Sequence, residues 1–125
     1  MSKRSLLLTL GVLGLVVLTG CELFQQPPEA SFVVVYNVDP ADPMAIDLDA
    51  RGSSDPAGRA ITSYMWTFGE DVTILTPLDE TKTVAVPVLR VKYPLEDTYT
   101  VTLVVTNELG KMSVPVERFV TLPHD

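Results

Sequence analysis

From Ala30 to the C-terminus the chain alternates between apolar and polar residues with a period of two, the signature of half-buried strands. Ser31-Phe32-Val33-Val34-Val35-Tyr36-Asn37-Val38 is β-branched and aromatic, and Met44-Ala45-Ile46-Asp47-Leu48-Asp49-Ala50 alternates cleanly. Ile61 to Phe68, Val72 to Thr76, Thr83 to Tyr93, Thr98 to Thr106 and Val114 to Leu122 continue the pattern. In the sixth run Tyr99, Val101, Leu103 and Val105 share one face and Thr100, Thr102 and Thr106 the other. Turn chemistry separates the runs: Asp39 to Pro43, Gly52 to Gly58, Gly69 to Asp71, Pro94 to Asp97 and Asn107 to Gly110 are rich in Gly, Pro, Asp, Asn and Ser, the residues that supply turn dihedrals and local side-chain hydrogen bonds. No segment carries a helical stripe. About seven short strands with regular turns predict an all-β antiparallel sandwich. Pro87 and Pro115, which lack a ladder donor, are expected at strand starts, edges or bulges.

The first residues follow a different pattern. Lys3 and Arg4 precede an uncharged apolar run from Leu6 to Leu18, and small residues follow it. Charge, then an apolar run of roughly 7–15 residues, then small residues is the layout of a secretory signal peptide. A spanning helix needs about 20 apolar residues. The uncharged stretch from Ser5 to Cys21 falls short of that and Glu22 ends it, which leaves an uncleaved anchor as the alternative. Leu18-Thr19-Gly20-Cys21 resembles the bacterial lipobox. The resemblance implies a thioether-linked diacylglycerol on Cys21 and cleavage after Gly20, usually with acylation of the new amino group. One acyl chain holds a protein only marginally, whereas two or three anchor it stably. A partner membrane reached through lipid on Cys21 is therefore expected. The organisation that follows is a signal peptide over residues 1–20, a lipidated tether over 21–29 with Gln25-Gln26-Pro27-Pro28 at its centre, and a sandwich over 30–123. Glu22 in place of Asp after the lipidated cysteine leans the location toward an outer membrane, in a cell that has one.

Composition narrows the chemistry. Cys21 is the only cysteine and His124 the only histidine, so neither a disulfide nor a soft-ligand metal cluster is available. Losing Lys3 and Arg4 with the signal takes the formal charge from −7 to −9. A field of that sign opposes nucleic acid and anionic headgroups.

Asp49-Ala50-Arg51-Gly52-Ser53-Ser54-Asp55-Pro56, Ile61 to Gly69 with Trp66 and Phe68, Tyr93-Pro94, and Thr98 to Asn107 with Gly110 together resemble the PKD (polycystic kidney disease) domain, from about Pro28 to Leu122. The resemblance implies an immunoglobulin-like β-sandwich that is extracellular and serves as an interaction module or spacer. The sequence departs from the family pattern where Trp66-Thr67-Phe68-Gly69-Glu70-Asp71 replaces Trp-Asp-Phe-Gly-Asp-Gly, and where Asp97 replaces a glycine. These changes are expected to reshape two turns and leave the fold intact. Trp66 and Phe68 are expected in the core. Tyr99 is expected to form a tyrosine corner, and Asp49, Ser53, Ser54 and Asp55 to bond backbone N–H groups in turns.

Four functional classes are open to such a chain. Catalysis would draw on Asp47, Asp49 and Asp55, but these fall on a strand and an exposed-looking turn, and His124 lies one residue from the C-terminus. No phosphate loop, metal cluster or nucleophile motif appears, so neither an enzyme nor a cofactor is expected. Calcium could use Asp39, Asp42, Asp49, Asp55 and Asp71 as hard oxygen ligands, without EF-hand spacing. A glycan surface needs spare aromatics. Phe32, Tyr64, Phe68, Tyr93, Tyr99 and Phe119 are expected mostly in the core, leaving Tyr36 and Phe24. The favoured class is an interaction or spacer module for an envelope protein or polysaccharide, with Asp71 to Val86 as the expected contact segment.

Overall fold

The computed structural model describes residues 26–69, 71–77 and 86–124. The expected signal peptide, Cys21, Phe24 and residues 78–85 of the segment from Asp71 to Val86 lie outside these residues.

Among the described residues seven strands form: β1 (Val33–Val35), β2 (Ala45–Asp49), β3 (Ile61–Thr67), β4 (Thr73–Thr76), β5 (Val88–Lys92), β6 (Asp97–Asn107) and β7 (Val116–Leu122). They build two antiparallel sheets, β1-β2-β5-β4 and β3-β6-β7. The all-β sandwich expected from the period-two pattern is the fold observed. Alternation explains the burial. On β6, Val101, Leu103 and Val105 are fully buried while the residues between them reach the outer face. Ile46 and Leu48 on β2 and Leu89 and Val91 on β5 face them from the other sheet.

Two strands differ from expectation. The run from Ser31 to Val38 pairs only at Val33–Val35. Asn37 adopts a positive φ of 55°, a conformation that Asn tolerates better than β-branched residues and that ends the extended path. Within the run from Thr83 to Tyr93, β5 begins after Pro87. The Pro87 carbonyl accepts a hydrogen bond from the Ala50 N–H at 2.8 Å, so the proline flanks the ladder without having to donate to it. Pro115 likewise stands immediately before β7.

At the front of the domain Pro28 is buried, and Glu29 exchanges backbone hydrogen bonds with Ser54 at 2.7 and 3.0 Å. Packing therefore reaches back to Pro28. The register assigns every loop to one of two poles. The pole where the chain enters holds the loops after Asp49 and Asn107, and the connection from β4 to β5 starts there. The opposite pole holds the turns after Val35, Thr67, Lys92 and Leu122.

Candidate functional site

Trp66 and Phe68 are both directed inward, at 4% and 3% exposure. Phe32 meets the Trp66 ring edge-on at 5.2 Å, and Phe68 stacks beside it at 6.3 Å. Edge-to-face and offset contacts of this kind suit the ring quadrupoles. The Trp66 indole N–H is buried without a hydrogen-bond partner. Trp66 is a packing residue whose ring fills the space between sheets.

The expected turn residues do more than cap turns. Asp49 does accept from the Arg51 N–H at 3.0 Å, and its carboxylate forms a bidentate pair with the Arg51 guanidinium. Ser53 makes a long-range contact instead: its Oγ accepts from the Ser31 N–H at 2.9 Å and donates to the Ser31 carbonyl at 3.0 Å. Ser54 contributes backbone groups to the Glu29 bridge. Asp55 is buried, accepting from the Ala57 N–H at 2.8 Å and from the Asn107 side-chain amide at 2.8 Å. The hydrogen bond from Asn107 holds the Asp55 carboxyl below its ordinary value, with the Ala57 N–H and Arg59 adding to the effect. Asn107 is buried too, and its Oδ1 accepts from the N–H groups of Leu109 and Lys111, both at 3.0 Å. One asparagine thus closes the turn from Asn107 to Gly110 and clamps it to the loop after β2. Sequence reading placed Asn107 in a turn and missed the clamp, because nothing local connects residues 55 and 107.

At the opposite pole the Tyr99 hydroxyl donates to the Leu95 carbonyl, which is the expected tyrosine corner. Its ring stacks on Tyr93 at 3.9 Å. Tyr93 donates to the Phe68 carbonyl at 3.3 Å. Burial, with Tyr99 nearby, pushes the Tyr93 phenol above its ordinary value. Asp42 pairs with Lys92 at 2.7 Å, and that contact holds its carboxyl below the usual range.

The five acids considered for calcium divide between the poles. Asp39, Asp42 and Asp71 fall at one, Asp49 and Asp55 at the other. Among the described residues no group of three or more acids, histidines or cysteines converges. Asp47, considered for acid–base work, lies mid-strand in a bidentate pair with Arg90 at 2.7 and 3.1 Å.

Phe119 corrects the expectation that it belongs to the core: it is 71% exposed. On β7 the inward positions are Val120 and Leu122, so residue 119 has the opposite parity and emerges on the outer face of β3-β6-β7. The parity of Val120 and Leu122 was the available signal. Phe119 lies opposite Thr100. Thr98, Thr102 and Thr121 share that face, and the Thr98 and Thr121 hydroxyls are 3.0 Å apart. Tyr36, expected to be spare, is half-buried and stacks on His124 at 3.9 Å. Beside them Arg118 donates to the Phe32 carbonyl at 2.6 Å, with its guanidinium 5.7 Å from the Phe32 ring centre.

Two surfaces remain as candidates for contact: the hydroxyl-rich outer face carrying Phe119, and a shallow apolar hollow at the chain-entry pole, between Pro27, Pro28, Pro56, Val114 and Val116. Residues 24–118 match the family model of the PKD domain. The chain belongs to the PKD domain family. This PKD domain is similar in fold to the PKD1 domain of Vibrio anguillarum Epp, at 22% identity and TM-score 0.56, covering 77% of this chain and 93% of that one. It is also similar to the PKD1 domain of the Vibrio cholerae metalloprotease PrtV, at 23% identity and TM-score 0.55, covering 77% and 96%. A third similar structure concerns the promiscuous specificity of carbohydrate-binding modules from the β-sandwich superfamily. There the identity is 28% and the TM-score 0.56, and this chain spans 34% of that one. No curated protein matches the chain.

Proposed function

We propose that the chain is a lipid-anchored, extracytoplasmic envelope protein whose PKD domain acts as an interaction or spacer module. The observation that carries the module reading is how the polar side chains are used. Asp42 pairs with Lys92, Asp47 with Arg90, Asp49 with Arg51 and Asp55 with Asn107. Each pair fastens a strand or loop, and the exposed groups left for contact lie on open sheet and loop surfaces. Such surfaces suit partner recognition. The anchoring reading is supported by Lys3, Arg4, the apolar run and Leu18-Thr19-Gly20-Cys21.

A second reading, a glycan surface, is favoured by Phe119. An exposed ring bordered by threonine hydroxyls offers the mixed apolar and hydrogen-bonding face that a sugar ring fits. The likeness to carbohydrate-binding modules points the same way. Photo-crosslinking from position 119 in intact envelopes separates the two. A discrete protein adduct is expected for the interaction module, and adducts confined to polysaccharide would favour the glycan reading. Absence of any adduct from position 119 would remove this face from both.

A further inference from the structure

The chain-entry pole carries apolar groups that the sandwich does not use. Leu109 is 53% exposed, Met112 53% and Val114 73%, all in the loop between β6 and β7. Val114 lines the same hollow as Pro27 and Pro28, so this patch is continuous with the point where the chain arrives from Cys21. Six residues separate Cys21 from Pro28. Seven residue steps span at most about 25 Å when fully extended. A lipid on Cys21 would therefore hold this pole, and not the opposite one, next to the bilayer.

Charge is distributed in the same sense. Among the described residues the entry pole has Glu29, Asp49, Asp55 and Glu108 against Arg51, Arg59 and Lys111, which is near balance. The far pole has Asp39, Asp42, Asp71, Glu96 and Asp97 against Lys92 alone. An anionic lipid surface repels the far pole and is nearly indifferent to the near one. That repulsion acts over about 10 Å at ordinary ionic strength.

Resting on the lipoprotein reading, we infer that the loop Leu109 to Val114 seats against the headgroup region of the membrane that holds the Cys21 lipid. The domain then stands with its acidic pole outward. The clamp of Asn107 on Asp55 fixes the seated loop to the sandwich, so the contact orients the whole domain. Apolar side chains in the interface and a covalent chain act as two signals where one alone is weak.

The test uses the full mature lipoprotein with one added cysteine, Met112→Cys, Val114→Cys or, as the far-pole comparison, Leu95→Cys. Each is labelled with an environment-sensitive fluorophore. An acylated Cys21 thiol takes no label, and mass spectrometry of the N-terminal peptide establishes the lipid first. The protein is placed in phosphatidylethanolamine–phosphatidylglycerol vesicles whose acyl chains are brominated near the headgroup. Strong quenching with blue-shifted emission is expected at positions 112 and 114, with neither at position 95. Lipidated protein that shows equal or no quenching at the three positions overturns the seating and leaves the anchor standing. A Cys21 without lipid overturns both.

Discussion

The two poles of the sandwich are held by different physics. At the chain-entry pole the two central fastenings are buried, the Asp55–Asn107 clamp and the Ser113 hydroxyl accepting from the Val105 N–H at 3.0 Å, with the half-buried Ser53–Ser31 exchange and the exposed Asp49–Arg51 pair around them. At the far pole they are mostly exposed: Asp39 on the Ala41 N–H, Asp42 on Lys92 and Asp97 on the Thr98 N–H. Breaking a buried hydrogen bond strands a partner away from water, whereas an exposed one is replaced by solvent. The entry pole is thus specified by its side chains and the far pole tolerates change. The departures from the family pattern at Thr67, Asp71 and Asp97 fall at the tolerant pole.

Core substitution should affect both poles at once and by the largest amount. Trp66→Ala is expected to cost about 3–5 kcal/mol. For a domain near this size that lowers the midpoint by more than about 12 °C. A native-like melt would remove Trp66 from its structural role. Asn107→Ala comes next. It strands the Leu109 and Lys111 donors and a buried carboxylate, at a cost of about 2–3 kcal/mol, with raised amide exchange confined to the loops after Asp49 and Asn107. Exchange that rises equally at the far pole would break the distinction between poles. Tyr99→Phe removes the corner hydroxyl and keeps the ring stack, so a loss of about 1 kcal/mol is expected. Lys92→Ala, which breaks an exposed pair, should leave the melting curve almost unchanged.

Acid titration sharpens the comparison further. The folded-state pKa of Asp55 lies below its ordinary 3.8. Its stabilising contribution is therefore complete above that ordinary value and is lost as pH falls through the depressed one. Asp55→Asn should flatten the acid limb of a stability–pH curve and leave the neutral plateau without a pH slope. An unchanged acid limb would mean that Asn107 does not favour the ionised form.

Strand positions and sheet faces were legible because the period of two is local and strong. Val101, Leu103 and Val105 needed only parity, as did Trp66 and Phe68. Phe119 runs against its side-chain type because the parity that Val120 and Leu122 define turns it outward. The tyrosine corner was legible because its partner, Leu95, is four residues away. The clamp between residues 55 and 107 and the exchange between 53 and 31 were not. They join loops brought together only by the sheet register, and no short-range pattern encodes them. The contact surfaces were illegible for a related reason: which strand edges and loops share a pole follows from topology.

The most direct test of a lipid-anchored PKD module is the intact mass of the mature N-terminal peptide from envelope membranes, beside the Cys21→Ala variant. The expected result is a peptide beginning at Cys21 and carrying a diacylglycerol adduct, with unprocessed precursor accumulating in the variant. An unmodified Cys21 in a soluble protein, or a variant processed and fractionated like the parent, would contradict the account.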